Sequence, residues 1–324
     1  MDKDINRLLL DLTKAKEVKY LERIQSLWSG YGEIARYGFL GSDLNQVIVK
    51  HISLPNNVKH PRGWNTDLSH ARKVKSYDVE CHFYEKYSSL CDEACRVAKL
   101  IACVDEEDLQ LILMEDLDAS GYSRRLNEVS WDDVKACLKW LANFHAQFLG
   151  VESNGLWDVG TYWHLATRPD ELAIMEEGEL KAKASQIDER LNSCSYKTFV
   201  HGDAKLANFC FSDTGHEVAA VDFQYVGSGC GMKDVIYFLG SCLSEEACEE
   251  HEAEALDYYF RELDLALVPL EKDVDFSALE KEWRELFPVA WTDFSRFLQG
   301  WSPGHWKINS YSERLARQVL AEID

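Results

Sequence analysis

No CxxC pair, no apolar run of membrane length, no excess of basic residues and no internal repeat occurs in the 324 residues of this chain. Each absence removes a class of function. The ten cysteines are scattered; Cys91 and Cys95 stand one helical turn apart, but no His or Cys cluster accompanies them. A zinc framework is therefore not expected, and the thiols read as free in a reducing compartment. The longest apolar runs, such as Leu109 to Met114 with its Gln110, are too short to span a bilayer. The opening Met-Asp-Lys-Asp-Ile-Asn-Arg has no signal-peptide pattern, so the expectation is a soluble cytoplasmic protein without a membrane partner. Thirty-five basic residues stand against 56 acidic ones, a net charge of -21. Nucleic acid needs a basic footprint and is not expected as a partner. So acidic a surface fits a cationic substrate, or simply solubility.

What is present is an ordinary globular balance, 46% hydrophobic and 28% charged, large enough for two lobes. Ile5 to about Tyr20 reads as a helix, Ile24 to Trp28 as a strand, and Ser29-Gly-Tyr-Gly32 as a turn. A second turn at Ser42-Asp43 precedes a β-branched strand, Asn45 to Ile52. Pro55 to Asn65 is polar and reads as a loop. Val74, Tyr77, Cys81 and Tyr84 recur at helical spacing, which predicts a helix from Ser69 to about Leu90. Leu109 to Met114 is a buried strand ended by Glu115-Asp-Leu-Asp118. Ser130 and Asp133 make a capping box for a helix with Val134, Leu138, Leu141, His145 and Phe148 along one side, stopped at Gly150. The composition shifts near Asp118 to Tyr122. The expected fold is therefore α+β, with an N-terminal lobe over 1–118 and a mainly helical C-terminal lobe over 119–324. Within the second lobe, Phe209-Cys-Phe211 and Val218-Ala-Ala-Val221 flank a turn and read as a hairpin.

The most informative stretch is His201-Gly-Asp-Ala-Lys-Leu-Ala-Asn208 followed by Asp222-Phe-Gln224. Thr198-Phe-Val200 delivers the first loop, and the hairpin's second strand ends at Asp222, so Asp203, Asn208 and Asp222 are expected to converge. Two of the three supply hard oxygen ligands of the kind Mg²⁺ prefers, leaving one carboxylate to orient a hydroxyl and accept its proton.

These residues resemble the catalytic and metal loops of the aminoglycoside phosphotransferase and choline kinase superfamily, nearest its ecdysteroid-kinase-like branch and bacterial relatives. The resemblance implies a two-lobed protein-kinase-like fold and an ATP- and Mg²⁺-dependent kinase of a small-molecule hydroxyl. It implies Asp203 as catalytic base and Asn208 and Asp222 as metal ligands, with Gln224 where protein kinases carry the Gly of DFG. Lys205 is either a support for the transferring phosphoryl group or a surface lysine. Val47-Ile-Val-Lys50 resembles the strand carrying the nucleotide-binding lysine, with Glu80 its natural partner on the next helix and Glu85 the alternative. Leu111 to Leu117 resembles the hinge that meets the base, so Glu115 and Leu117 join the nucleotide site. Gly30 and Gly32 form either a loop over the phosphates or only a turn. Leu141-Ala-Asn-Phe-His-Ala146 matches a family helix in which His145 reads as a core histidine near the catalytic loop. Asp234 and His201 read as braces for that loop.

The acceptor is expected against the C-terminal helices, where Trp283, Trp291, Phe294, Phe297, Trp301 and Trp306 cluster. They make a cage for an organic cation, a floor for a sterol-like alcohol, or core. Asp293 is a candidate contact for an amine. Two rival functions remain: a nucleotide-binding regulatory pseudokinase, and a protein-serine kinase. Gly202, Gln224 and the lack of a segment ending in A-P-E count against the latter. Monomer and homodimer are both open.

Overall fold

The computed structural model describes residues 2–27, 30–53, 66–106 and 109–323. The chain opens with α1 (Asp2–Thr13), then β1 (Glu17–Ser26), β2 (Gly32–Leu40) and β3 (Gln46–Ile52). The long helix α2 (Thr66–Lys86) follows, then β4 (Leu100–Glu106) and β5 (Leu109–Glu115). The five strands form one antiparallel sheet in the order β1-β2-β3-β5-β4. After it come α3 (Trp131–Phe148), α4 (Pro169–Ile174), α5 (Glu179–Ala182) and α6 (Ala184–Asn192). Four short strands succeed them: β6 (Thr198–Val200), β7 (Phe209–Phe211), β8 (Val218–Ala220) and β9 (Gly227–Gly229). The chain ends in α7 (Met232–Cys242), α8 (Glu245–Leu267), α9 (Phe276–Trp301) and α10 (Ser310–Glu322). The expected α+β architecture is the one observed: an antiparallel sheet in the N-terminal part and helices in the C-terminal part.

The period of two along β3 decides what each face of the sheet does. Val47 and Val49 point to one side, where Ile5 and Leu9 of α1 cover them together with Leu111 and Leu113. Ile48 and Lys50 point to the other side, toward a cleft. A slip of one residue would exchange the two sets, so the apolar cover of α1 fixes the side on which Lys50 emerges.

Two expectations need correction. The first helix stops at Thr13, well short of Tyr20, because Lys14 takes a left-handed conformation (φ 55°) that breaks it. Residues Glu17 to Tyr20 are strand, and the next strand therefore begins earlier than Ile24. The strand β4 had no counterpart in the sequence reading; it pairs with β5 through an irregular register between Leu100 and Ala102. The expected loop Pro55 to Asn65, and Trp28 and Ser29, lie outside the described residues.

The capping box of α3 is present: Ser130 and Asp133 each bond the other's backbone amide. Its five predicted core positions are all buried. The hairpin pairs Phe209 with Ala220 and Phe211 with Val218. At the start of α7, Gly231 has no room for a side chain. A Cβ there would lie 2.6 Å from Trp283, 2.8 Å from His145 and 2.8 Å from the Tyr259 hydroxyl. Its φ of -57° is ordinary, so the constraint is packing alone. Gly231→Ala should cost about 1–3 kcal/mol by overpacking, read as a lower urea midpoint with an unchanged slope.

Candidate active site

The side chain that organises the cleft is Lys50, which is 2% exposed. Its ammonium meets Glu80 Oε2 at 2.5 Å and Asp222 Oδ1 at 3.2 Å. Burial pulls its pKa down, but Glu80 and then Asp222 outweigh that, and the net shift is upward. Burial likewise pushes Asp222 up, yet Lys50, Lys205 and Lys73 outweigh it and hold the carboxyl at about 2. Asp222 thus stays ionised at neutral pH. Its backbone is left-handed (φ 72°), a conformation Asp tolerates better than most residues. Of the two partners proposed for Lys50, Glu80 is the one in contact. Glu85 lies instead beside Cys81 and Cys103.

The loop after β6 is shaped by a buried carboxylate. Asp234 on α7 accepts from the His201 amide at 2.5 Å and the Gly202 amide at 2.9 Å. It also meets His145 Nε2 at 3.1 Å, whose Nδ1 lies 2.7 Å from the Tyr259 hydroxyl. Gly202 is left-handed (φ 80°), and a Cβ on it would sit 2.1 Å from the Tyr225 carbonyl. His201 takes the Asp203 amide at Nδ1 and donates from Nε2 to the Val221 carbonyl, tying the two loops together. Asp203 Oδ2 accepts from Lys205 at 2.8 Å and from Asn208 at 3.1 Å. Asn208 also donates to the Asp203 carbonyl, while the Val221 amide donates to the Asn208 carbonyl at 3.0 Å. Asp203, Asn208 and Asp222 therefore meet at one place, with Lys205 beside them. Phe223 stacks on Phe83 of α2 at 4.1 Å, which locks the second loop to the helix carrying Glu80. Gln224 continues the link: it donates to Asp222 and accepts from Lys73 and Ser76.

These groups line a cleft of about 1030 Å³ between sheet and helices. Its inner end is an apolar slot of Leu27, Ile34, Ile48, Ala98, Met114 and Leu117. Glu115 lines it too, but its carboxylate is held by Arg96 at 2.6 Å, Ser120 at 2.6 Å and the Lys99 amide at 2.9 Å. The side chain is thus structural, and the strand end offers only backbone to a ligand. Asp116 is similarly occupied by Arg36 at 2.6 Å and Gln46 at 2.7 Å. Leu27 and Tyr31 line the cleft, whereas Gly30 and Gly32 do not. Gly32 serves the sheet: a Cβ there would fall 1.9 Å from the His51 carbonyl.

At the C-terminal helices most of the aromatic cluster is core. Trp283, Trp291, Phe294 and Phe297 are buried; Phe297 and Trp301 reach the cleft, and Trp306 is exposed. Asp293 is buried in an ion pair with Arg296 at 2.8 Å and does not line the cleft. The sequence reading missed Tyr162, Tyr237 and Lys307. Tyr162 is set by its amide on the Gly202 carbonyl, and both tyrosine hydroxyls feel the Asp203 charge. Lys307 lies over the Tyr237 ring at 4.9 Å. No short-range pattern marks these three, which come from three separate segments.

The sequence profile of the ecdysteroid kinase-like family matches residues 55–153 and 171–271. The chain belongs to the ecdysteroid kinase-like family. Similar solved structures agree in fold. An aminoglycoside-3'-phosphotransferase of type VIII superposes with a TM-score of 0.50 at 15% identity, covering 88% of this chain and 98% of its own. A Plasmodium vivax ethanolamine kinase superposes with a TM-score of 0.50 at 11% identity, covering 94% and 82%. No curated protein sequence matches. This ecdysteroid kinase-like chain therefore shares its fold with those two solved kinase structures. No helix among the described residues is long and apolar enough to cross a membrane.

Burial of Lys307 holds its pKa at about 8, against an ordinary 10.5. The folded-state value is the lower one, so the unfolded chain binds more protons between those two values. The cost of burying the charge is full below pH 8 and is relieved as pH rises toward 10.5. Lys307→Met should therefore gain stability over the wild type at pH 7 and lose most of that advantage by about pH 10. Urea melts of both proteins at the two pH values test this; an equal difference at both would show that Lys307 titrates normally.

Proposed function

We propose that the chain is an ATP- and Mg²⁺-dependent phosphotransferase acting on a hydroxyl of a small molecule. The observation that carries the reading is the meeting of Asp203, Asn208 and Asp222 in one cleft with the Lys50–Glu80 pair. On this reading the lobes run over 1–118 and 119–324, and the apolar slot of Ile34, Ile48, Ala98 and Met114 beside that cluster takes the base.

The residues fit the implied cation. Asp222 is an ionised carboxylate, and Asn208 spends its amide NH₂ on Asp203, which turns its amide oxygen away for a hard metal. Asn208 and Asp222 would hold Mg²⁺, which neutralises charge on the phosphates. Lys50, kept charged by Glu80, suits the α- and β-phosphates. Lys205 supplies further positive charge beside the transferring group. Asp203, fixed by Lys205 and Asn208 through one oxygen, aligns the acceptor hydroxyl and takes its proton as the new P–O bond forms and the bond from the γ-phosphorus to the bridging oxygen breaks, ADP leaving with that oxygen. The hinge backbone at Glu115 to Leu117 suits the edge of the base, and the apolar slot suits its faces.

Asp203→Ala should abolish turnover, a loss of about 10³-fold or more, with Mg·ATP affinity retained. Asp222→Ala should lose the Mg²⁺-dependent part of nucleotide binding, seen by calorimetry with and without the metal. Undiminished phosphoryl transfer by Asp203→Ala removes that residue from the role. Mg·ATP binding without ADP release across a panel of alcohols would instead favour a regulatory module.

A further inference from the structure

The outer end of the cleft, beyond Asp203, differs from the rest in charge. The carboxylates that line the cleft lie either at its base end (Glu22, Glu115, Asp116, Asp118) or at the centre (Glu80, Asp203, Asp222). The outer end presents two arginines, Arg72 and Arg168, together with Tyr162, Phe297 and Trp301, and the Arg168 guanidinium lies over the first two of these rings. In a chain of net charge -21, two neighbouring arginines facing one cavity call for an explanation.

Arg72 stands on α2 and donates to the Thr167 carbonyl at 2.7 Å and the Ser69 hydroxyl at 3.3 Å. Among the described residues it forms no ion pair. Arg168 donates from Nε to the Tyr162 carbonyl at 2.6 Å and from Nη1 to Glu171 at 3.1 Å. Its guanidinium lies 5.7 Å from the centre of the Tyr162 ring and 5.3 Å from that of Phe297. Glu171 and Asp170 are the carboxylates that act on this pair. Burial first, and then Arg168, lower the pKa of Arg72 against the pull of Tyr225, Glu171 and Asp170. Two like charges held together in a partly dry site are costly unless an anion joins them. The planar fork of each guanidinium matches a carboxylate, sulfate or phosphate. Phe297 and Trp301, stacked at 5.9 Å and 14°, floor the space between.

We infer that the acceptor is an alcohol carrying an anionic group, which Arg72 and Arg168 hold at the outer end of the cleft while its hydroxyl reaches Asp203. This rests on the phosphotransferase reading above. A cationic acceptor, which the acidic composition alone would allow, meets two guanidinium groups there and is disfavoured.

Three matched probes test it: 4-(hydroxymethyl)benzoate, its methyl ester, and 4-(hydroxymethyl)benzylamine, each titrated calorimetrically into the full chain. The benzoate should bind at least about tenfold tighter than the ester, the gain of charge-assisted hydrogen bonds to guanidinium. Arg72→Gln should bring benzoate and ester within about threefold of each other, and Arg72→Glu should reverse the order in favour of the amine. Arg72 is the better target, since removing Arg168 would leave buried Glu171 unpaired. Ester or amine binding as tightly as benzoate, a preference that survives Arg72→Gln, or no binding by any probe at about 10 mM overturns the inference. Mg·ATP titration of the same protein separates the two failures: intact Mg·ATP binding leaves the phosphotransferase reading standing, and its absence removes both.

Discussion

A single ammonium group, that of Lys50, joins three parts of the chain that sequence keeps far apart. It leaves a sheet strand, pairs with Glu80 on α2, and reaches Asp222 after the hairpin. Removing Lys50 would strip buried Glu80 of its partner, which is more costly than the pair is stabilising. The strand's parity, the rotation of α2 and the left-handed turn at Asp222 must therefore all be right at once. Phe223 on Phe83 makes the same connection through packing, so the polar and apolar links agree on one geometry.

The loop from His201 to Asn208 is held in a different way. Its backbone is drawn inward by Asp234, a carboxylate with no exposure at all, whose acceptor capacity goes to two amides and an imidazole. The loop's own side chains are then free to face the cleft. Asp203 inherits a fixed direction from its surroundings, the preorganisation that its proposed role as proton acceptor calls for.

Much of this was legible in the sequence because its signals are local. The alternation around Lys50, the capping box at Ser130 and the short spacing from Asp203 to Asn208 each depend on neighbours a few residues away. The end of α1 was misread because its apolar spacing carries on past Lys14, and nothing in composition announces a left-handed lysine. The strand β4 was missed because its partner fixes it more than its own pattern does. Arg72, Tyr162, Arg168, Tyr237 and Lys307 meet only through tertiary structure, and Asp293 looked available until Arg296 folded against it. Net charge left a cationic substrate and plain solubility both open, because a total over the whole chain does not say which sign faces a given cavity.

The apolar residues under α1 form a cluster of their own, distinct from the large one that runs through the helices. Such a division sets up two tiers of cooperativity. The small layer of sheet and helix holds far fewer buried side chains than the aromatic interior to which the loop around Asp203 is anchored, so its amides are expected to exchange with solvent at the lower free energy. The five-stranded sheet, with Val47 and Val49 in the small cluster and Ile52 and Ile112 in the large one, is where the two tiers meet.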